Sequence, residues 1–138
     1  MSEASVTQSR PDMDILADIH HVERGYPPLV NDRHQVNFEV NDGVVTVSGY
    51  TKATPTYNYT LGRVADIDGV KEVIAHNFFN DETIRLDVGR TIPVGVVLSV
   101  EYGTVILAGK LPDGTTIEEV VREVGLVEGV RRVITEFR

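Results

Sequence analysis

From Gln35 to Asn41 apolar and polar residues alternate strictly, with Val36, Phe38 and Val40 on one side and Gln35, Asn37, Glu39 and Asn41 on the other. A period of two over this length predicts a half-buried strand. Asn41-Asp42-Gly43 reads as a tight turn, with Gly43 able to take positive φ, and Val45 and Val47 resume the core side beyond it. The segment is therefore a β-hairpin. Upstream, Asp12 or Asp14 can cap a helix in which Ile15, Ile19 and Val22 follow helical spacing. Gly25 and the Pro27-Pro28 pair are expected to end it, leaving a loop from Arg24 to Arg33 before the first strand, which His34 would begin. Downstream, Thr54-Pro55 looks like an N-cap followed by proline at the first helical position. Asn58, Thr60 and Gly62 are poor helix formers, so packing of Tyr57, Leu61 and Val64 must hold that helix. Asp68-Gly69 then turns the chain into a strand from Val70 to Phe78.

This pattern occurs twice. A shift of 60 residues lays Val36, Val40, Gly43, Val45 and Gly49 on Val96, Val100, Gly103, Val105 and Gly109 without a gap. It also lays Val64, Gly69, Val70, Val73 and Ile74 on Val124, Gly129, Val130, Val133 and Ile134. The matched positions are turn glycines and periodic β-branched residues, which dictate backbone and core, while the positions between them differ freely. In the second copy the hairpin falls at Val96 to Val100 and Val105 to Ala108. Thr115-x-x-Glu118 has capping-box spacing, and Ile117, Val121 and Val124 form one stripe. Glu128-Gly129 turns into a strand from Val130 to Phe137. The segment from Asp81 to Ile92 suits a helix through Ile84, Val88 and Ile92, and a strand through Ile84, Leu86 and Val88. Helix is preferred because Asn80 or Asp81 can cap it and the repeat requires one.

The expected fold is thus α+β: two tandem αββαβ units, each a small three-stranded sheet with helices packed on one face. Residues 1–10 read as a disordered leader, 11–79 as the first unit, and 80–138 as a second unit with a start shortened by about ten residues. Gly43, Gly49, Gly69, Gly103, Gly109 and Gly129 define the turns. One contrast bears on function. On the outward side of the hairpin the first copy carries Asn37 and Thr46, whereas the second carries Val97 and Ile106. If helices cover only one side of the sheet, Val97 and Ile106 form an apolar patch and a candidate interface. Mutual burial of the two copies there would account for the same residues.

Each repeat resembles the BON domain (bacterial OsmY and nodulation). The residues that carry the resemblance are Val36-x-x-x-Val40-x-Asp42-Gly43-Val44-Val45-Thr46-Val47-Ser48-Gly49, followed by Val64-Ala65-x-Ile67-x-Gly69-Val70-Lys71-x-Val73. Val96, Val100, Gly103, Val105, Leu107 and Gly109, then Val124, Val127, Gly129, Val130 and Val133, repeat them. The resemblance implies an αββαβ unit, non-enzymatic in most members, that binds phospholipid or envelope surfaces and serves in stress responses. It implies no catalytic residue and no cofactor.

Composition narrows the reading further. A unit of 60 residues buries only about 60% of its unfolded surface, so each copy alone would be marginal and is expected to pack on its sibling or to homodimerise. The formal net charge of −8 lacks the basic stripe that nucleic acid requires and disfavours electrostatic adhesion to anionic lipid. Departure from the family's envelope setting opens an alternative: a cytoplasmic module for protein interaction, self-assembly or small-ion sensing. The chain has no cysteine, hence no disulfide, thiolate metal site or thiol nucleophile. Met1 to Pro11 has no apolar core of a signal peptide, and no stretch reaches the ~18 apolar residues of a membrane span. A cytoplasmic setting is expected from the chain as written, and a periplasmic one if a leader has been removed.

Candidate chemistry is sparse. Asp14, Asp18 and His21 share a helical face beside His20, which could converge on a metal but equally describes a solvated face. Asp66, Asp68, Asn80, Asp81 and Glu82 could offer oxygens to a hard cation, yet they follow no calcium-loop pattern and suit turns and caps. Ser48-Gly49 lacks a nucleophile elbow, and Gly43 to Gly49 is hairpin spacing rather than a phosphate loop. Tyr50, Tyr57 and Tyr59 could gather into a site for a ring or acyl chain, or serve as packing. No metal, cofactor or catalytic group is assigned.

Overall fold

In the computed structural model residues 10–138 are described, so the expected leader, save Arg10, lies outside the described residues. The chain divides into two compact units: unit 1 comprises Met1–Gly49 and Pro55–Phe78, and unit 2 comprises Tyr50–Thr54 and Phe79–Arg138. The helices are α1 (Asp12–Arg24), α2 (Pro27–Asp32), α3 (Thr54–Ala65), α4 (Asp81–Gly89) and α5 (Ile117–Gly125). The strands are β1 (Val36–Asn41), β2 (Val44–Thr51), β3 (Glu72–Asn80), β4 (Val96–Glu101), β5 (Thr104–Gly109) and β6 (Arg132–Phe137). They form two three-stranded sheets, ordered β1-β2-β3 and β4-β5-β6. The architecture is α+β with two αββαβ-like units.

In unit 1, α1 buries Ile15, Ile19 and Val22, the expected stripe. The Arg24–Arg33 stretch is not a loop. Pro27 and Pro28 occupy the first turn of α2, where a missing N–H is harmless, so the proline pair starts a helix as well as stopping one. His34 sits in a single 3₁₀ turn, Arg33–Gln35, rather than opening the strand. In α3 the fully buried line is Thr56, Thr60 and Val64, with Tyr57 and Leu61 half-buried beside it. The Thr60 hydroxyl donates to the Thr56 carbonyl at 2.8 Å, so a buried polar group is satisfied within the helix. This lets threonine serve as core, which the apolar pattern could not show. Val45, Val47, Leu29 and Phe78 complete the core.

Unit 2 repeats the plan with its own core of Ile84, Val88, Val96, Val105, Leu107, Val120 and Val124. Of the Asp81–Ile92 segment, Asp81–Gly89 is helical and Ile92 lies beyond the helix end; the Asn80 side chain caps it by accepting the Thr83 amide at 2.9 Å. The α5 cap lies one residue beyond the expected position. Thr116, not Thr115, accepts the Glu119 amide at 3.2 Å, and its hydroxyl donates to the Glu119 carboxylate at 3.0 Å. The strands after Gly69 and Gly129 also begin two residues later than the pattern suggested, because Val70 and Val130 close tight turns onto Ile67 and Val127 at 3.1 Å. Both hairpins are antiparallel, and β6 runs parallel to β5 with Ile106 opposite Ile134.

Candidate interaction surface

The geometry of each sheet begins at its hairpin turn. Asp42 and Gly43 have φ of 49° and 82°, and Tyr102 and Gly103 have φ of 47° and 80°, as a primed two-residue turn requires. Each turn is held by a carboxylate from the first turn of the preceding helix. Asp12 accepts the amides of Asp42 and Gly43 at 2.9 and 3.0 Å. Asp81 accepts those of Tyr102 and Gly103 at 2.7 and 3.0 Å. The turn carbonyls in turn accept the amides of Lys71 and Arg131, both at 2.8 Å. Asp81, a candidate cap or cation ligand by sequence, is a clasp for the hairpin. The signal was present, since a shift of 69 residues lays Asp12, Ile15 and Ile19 on Asp81, Ile84 and Val88.

With the turns fixed, strand pleating decides which side chains face out. In unit 2, Val96, Leu98 and Val100 with Val105 and Leu107 face α4 and α5. The other face carries Val97, Ser99, Ile106, Ala108 and Ile134. Val97 lies across from Ala108, Ser99 across from Ile106, and Ile106 beside Ile134. Val97 is 61% exposed and Ile134 38%, with Ile106 half-buried between them. Glu101, Arg132 and Glu136 rim the patch. The structure thus places the two residues singled out from sequence on one open face. It adds Ile134, which the alternation of the last strand could have supplied once its register was known. In unit 1 the corresponding hairpin pairs are Asn37 with Ser48 and Glu39 with Thr46, all polar, while Ile74 stands where unit 2 has Ile134.

Several titratable residues pair locally. Asp18 accepts from Arg10 at 2.7 Å, which raises the Arg10 pKa, and Glu23 pairs with His20 at 2.9 Å. Asp18, His21, Tyr59, Arg63 and Asp66 line a shallow groove of about 420 Å³ in unit 1. Among the described residues no group of three His, Cys, Asp or Glu side chains could hold a metal ion. Glu82 accepts the Thr54 amide at 2.6 Å rather than facing a cation. In unit 1, Tyr57 and Tyr59 stack on different rings, Phe78 and Tyr26, at centroid distances of 4.6 and 4.0 Å, and in unit 2 Tyr50 lies tilted against Phe79 at 5.8 Å. Among the described residues no helix is long and apolar enough to cross a membrane.

No family model and no curated protein sequence matches the chain. Among solved structures it is similar to CdsD, a structural protein of the type III secretion system of Chlamydia trachomatis, at 15% identity and a TM-score of 0.39. That likeness covers 90% of this chain and 91% of the other. A C-terminal domain of CdsD is similar at 14% identity and a TM-score of 0.37, covering 93% and 98%.

Proposed function

We propose that the chain is a non-catalytic, tandem BON-like interaction module whose second unit receives a protein partner on the open face of its sheet. The observation that carries this reading is the line Val97, Ile106 and Ile134, apolar and facing away from the helices, where the unit 1 hairpin carries Asn37 and Thr46 and only Ile74 is kept. Apolar area of this kind gains by being covered, at about 25 cal/mol per Å² removed from water. A non-catalytic role is supported by the engagement of the carboxylates: Asp12 and Asp81 hold turns, while Asp18, Glu23 and Glu82 are paired locally. The BON resemblance favours phospholipid as the second reading, against which stands the net charge of −8.

A photo-crosslinking residue placed at Ile134, and separately at its unit 1 counterpart Ile74, tests the proposal in cells producing the full chain. Crosslinked protein is expected from position 134 and not from 74. Absence of any protein adduct at 134 would overturn the reading. Flotation with anionic vesicles that Ile134→Glu abolishes would also overturn it, in favour of phospholipid.

A further inference from the structure

We propose that β4 is a self-association edge, where the strand pairs antiparallel with β4 of a second copy about a two-fold axis at Ser99. This deepens the reading of unit 2 as the interaction unit by naming a partner for it. β4 is the outermost strand of its sheet. In a two-residue hairpin the residues flanking the turn, Glu101 and Thr104, exchange both backbone hydrogen bonds. Alternation then directs the backbone groups of Val97 and Ser99 to β5, and those of Val96, Leu98 and Val100 away from the sheet. The two ends of this free row are already closed: the Val96 amide donates to the Pro93 carbonyl at 3.3 Å, and the Tyr102 amide to Asp81 at 2.7 Å. What stays open is the middle, the N–H and C=O groups of Leu98 and Val100. A two-fold pairing centred on Ser99 sets Leu98 of each copy against Val100 of the other and closes four hydrogen bonds, using every group of that middle stretch.

The side chains admit a second copy in that register. Ser99 meets Ser99 in a non-hydrogen-bonded pair, where Cα atoms approach to about 4.5 Å and only small or uncharged side chains fit without penalty. Val97 lies against the stem of Glu101. Both sheets keep their helices on one side, so the Val97–Ile106–Ile134 faces continue into each other.

Unit 1 shows the contrast. Its edge strand β1 has the same closed ends, with the Val36 amide donating to Arg33 and the Asp42 amide to Asp12. At its centre stands Glu39, across from Thr46. Self-pairing there would bring two carboxylates together, which is how natural sheets guard their edges. In unit 2 that guard is gone, because Asn37-x-Glu39 is replaced by Val97-x-Ser99. On a chain of net charge −8, an edge whose centre carries no charge is where a like copy can approach, with Glu101 at the end of the strand.

Sedimentation of the full chain over a roughly hundredfold concentration range tests this by mass action. The wild type is expected to dimerise. Ser99→Glu, which restores the residue of unit 1 at an exposed site, should weaken dimerisation at least about tenfold while leaving the far-UV spectrum unchanged. Ser99→Thr should retain the dimer. Amide exchange of Leu98 and Val100 should slow with concentration while that of Phe38 and Val40 does not. A wild type that is monomeric throughout, or a dimer indifferent to Ser99→Glu, overturns the inference. A monomeric wild type that still crosslinks another protein at position 134 would sink this pairing and leave the interaction reading standing.

Discussion

The two units are siblings in backbone and strangers on their surfaces. Both use a positive-φ hairpin turn clasped by a helix-borne aspartate, and both tie the last strand to the turn carbonyl. They diverge in how deeply that clasp is buried and in what the sheet shows outward. In unit 1 the clasp lies near solvent and the outer face is Asn37, Glu39 and Thr46. In unit 2 Asp81 is 6% exposed, and the outer face is Val97, Ser99 and Ile106. The difference teaches that a duplicated fold keeps what closes its turns and releases what faces out.

The strongest blow to both units alike is to add a methyl group beside the hairpin. Gly49 and Gly109 have φ of 105° and 94°, and a Cβ there would run into the carbonyl oxygens of Gln35 and Gly95. Left-handed strain and overpacking together should make Gly49→Ala and Gly109→Ala cost about 3 kcal/mol each. Denaturant titration followed by amide exchange, at Val45 for unit 1 and Val105 for unit 2, would show it. A near-neutral result in one unit would break the sibling relation.

The clasp sharpens the comparison. Asp81→Ala leaves the buried Gly103 amide and the Tyr102 amide without their acceptor, at about 2–3 kcal/mol. Asp12→Ala should cost about 1 kcal/mol, because water can reach the exposed Asp42 amide. Equal losses in the same exchange measurement would mean that burial does not separate the two turns.

The smallest effect is a matter of pH. The Tyr50 phenol donates to the Gly129 carbonyl at 2.8 Å, and burial raises its pKa, with Arg131 opposing and Asp81 adding. The fold therefore favours the neutral phenol. Its contribution is whole below the unfolded value of about 10 and is lost as pH rises through and beyond it. Wild-type stability should fall above that pH more steeply than that of Tyr50→Phe, as urea midpoints on the two proteins would show. Parallel curves would remove Tyr50 from the account.

Much of the fold could be read from the chain, and particular residues show where reading stopped. Alternation in Gln35 to Asn41 and the turn at Asp42-Gly43 named the first hairpin, since pleating and positive φ are local demands. The helix at Asp81 rests on a cap at Asn80 or Asp81 and on the repeat, because Ile84, Leu86 and Val88 serve a strand equally well. The α2 helix was missed because a proline pair both ends and starts helices. Thr60 is core without an apolar signature because its hydroxyl bonds back to the Thr56 carbonyl and no longer looks polar to its surroundings. Of the candidate surface, Val97 and Ile106 were legible and Ile134 was not, since its place beside Ile106 depends on a parallel register set by the α5 crossover.

By itself the sequence determined that one αββαβ plan is written twice, because turn glycines and apolar periods act over a few residues and need no partner. Tertiary structure alone decided which carboxylates become clasps, and that the open strand edge is centred on Glu39 in one unit and Ser99 in the other. Those outcomes depend on how distant segments meet, and hydrogen bonding between residues twenty or more positions apart leaves no period in the chain.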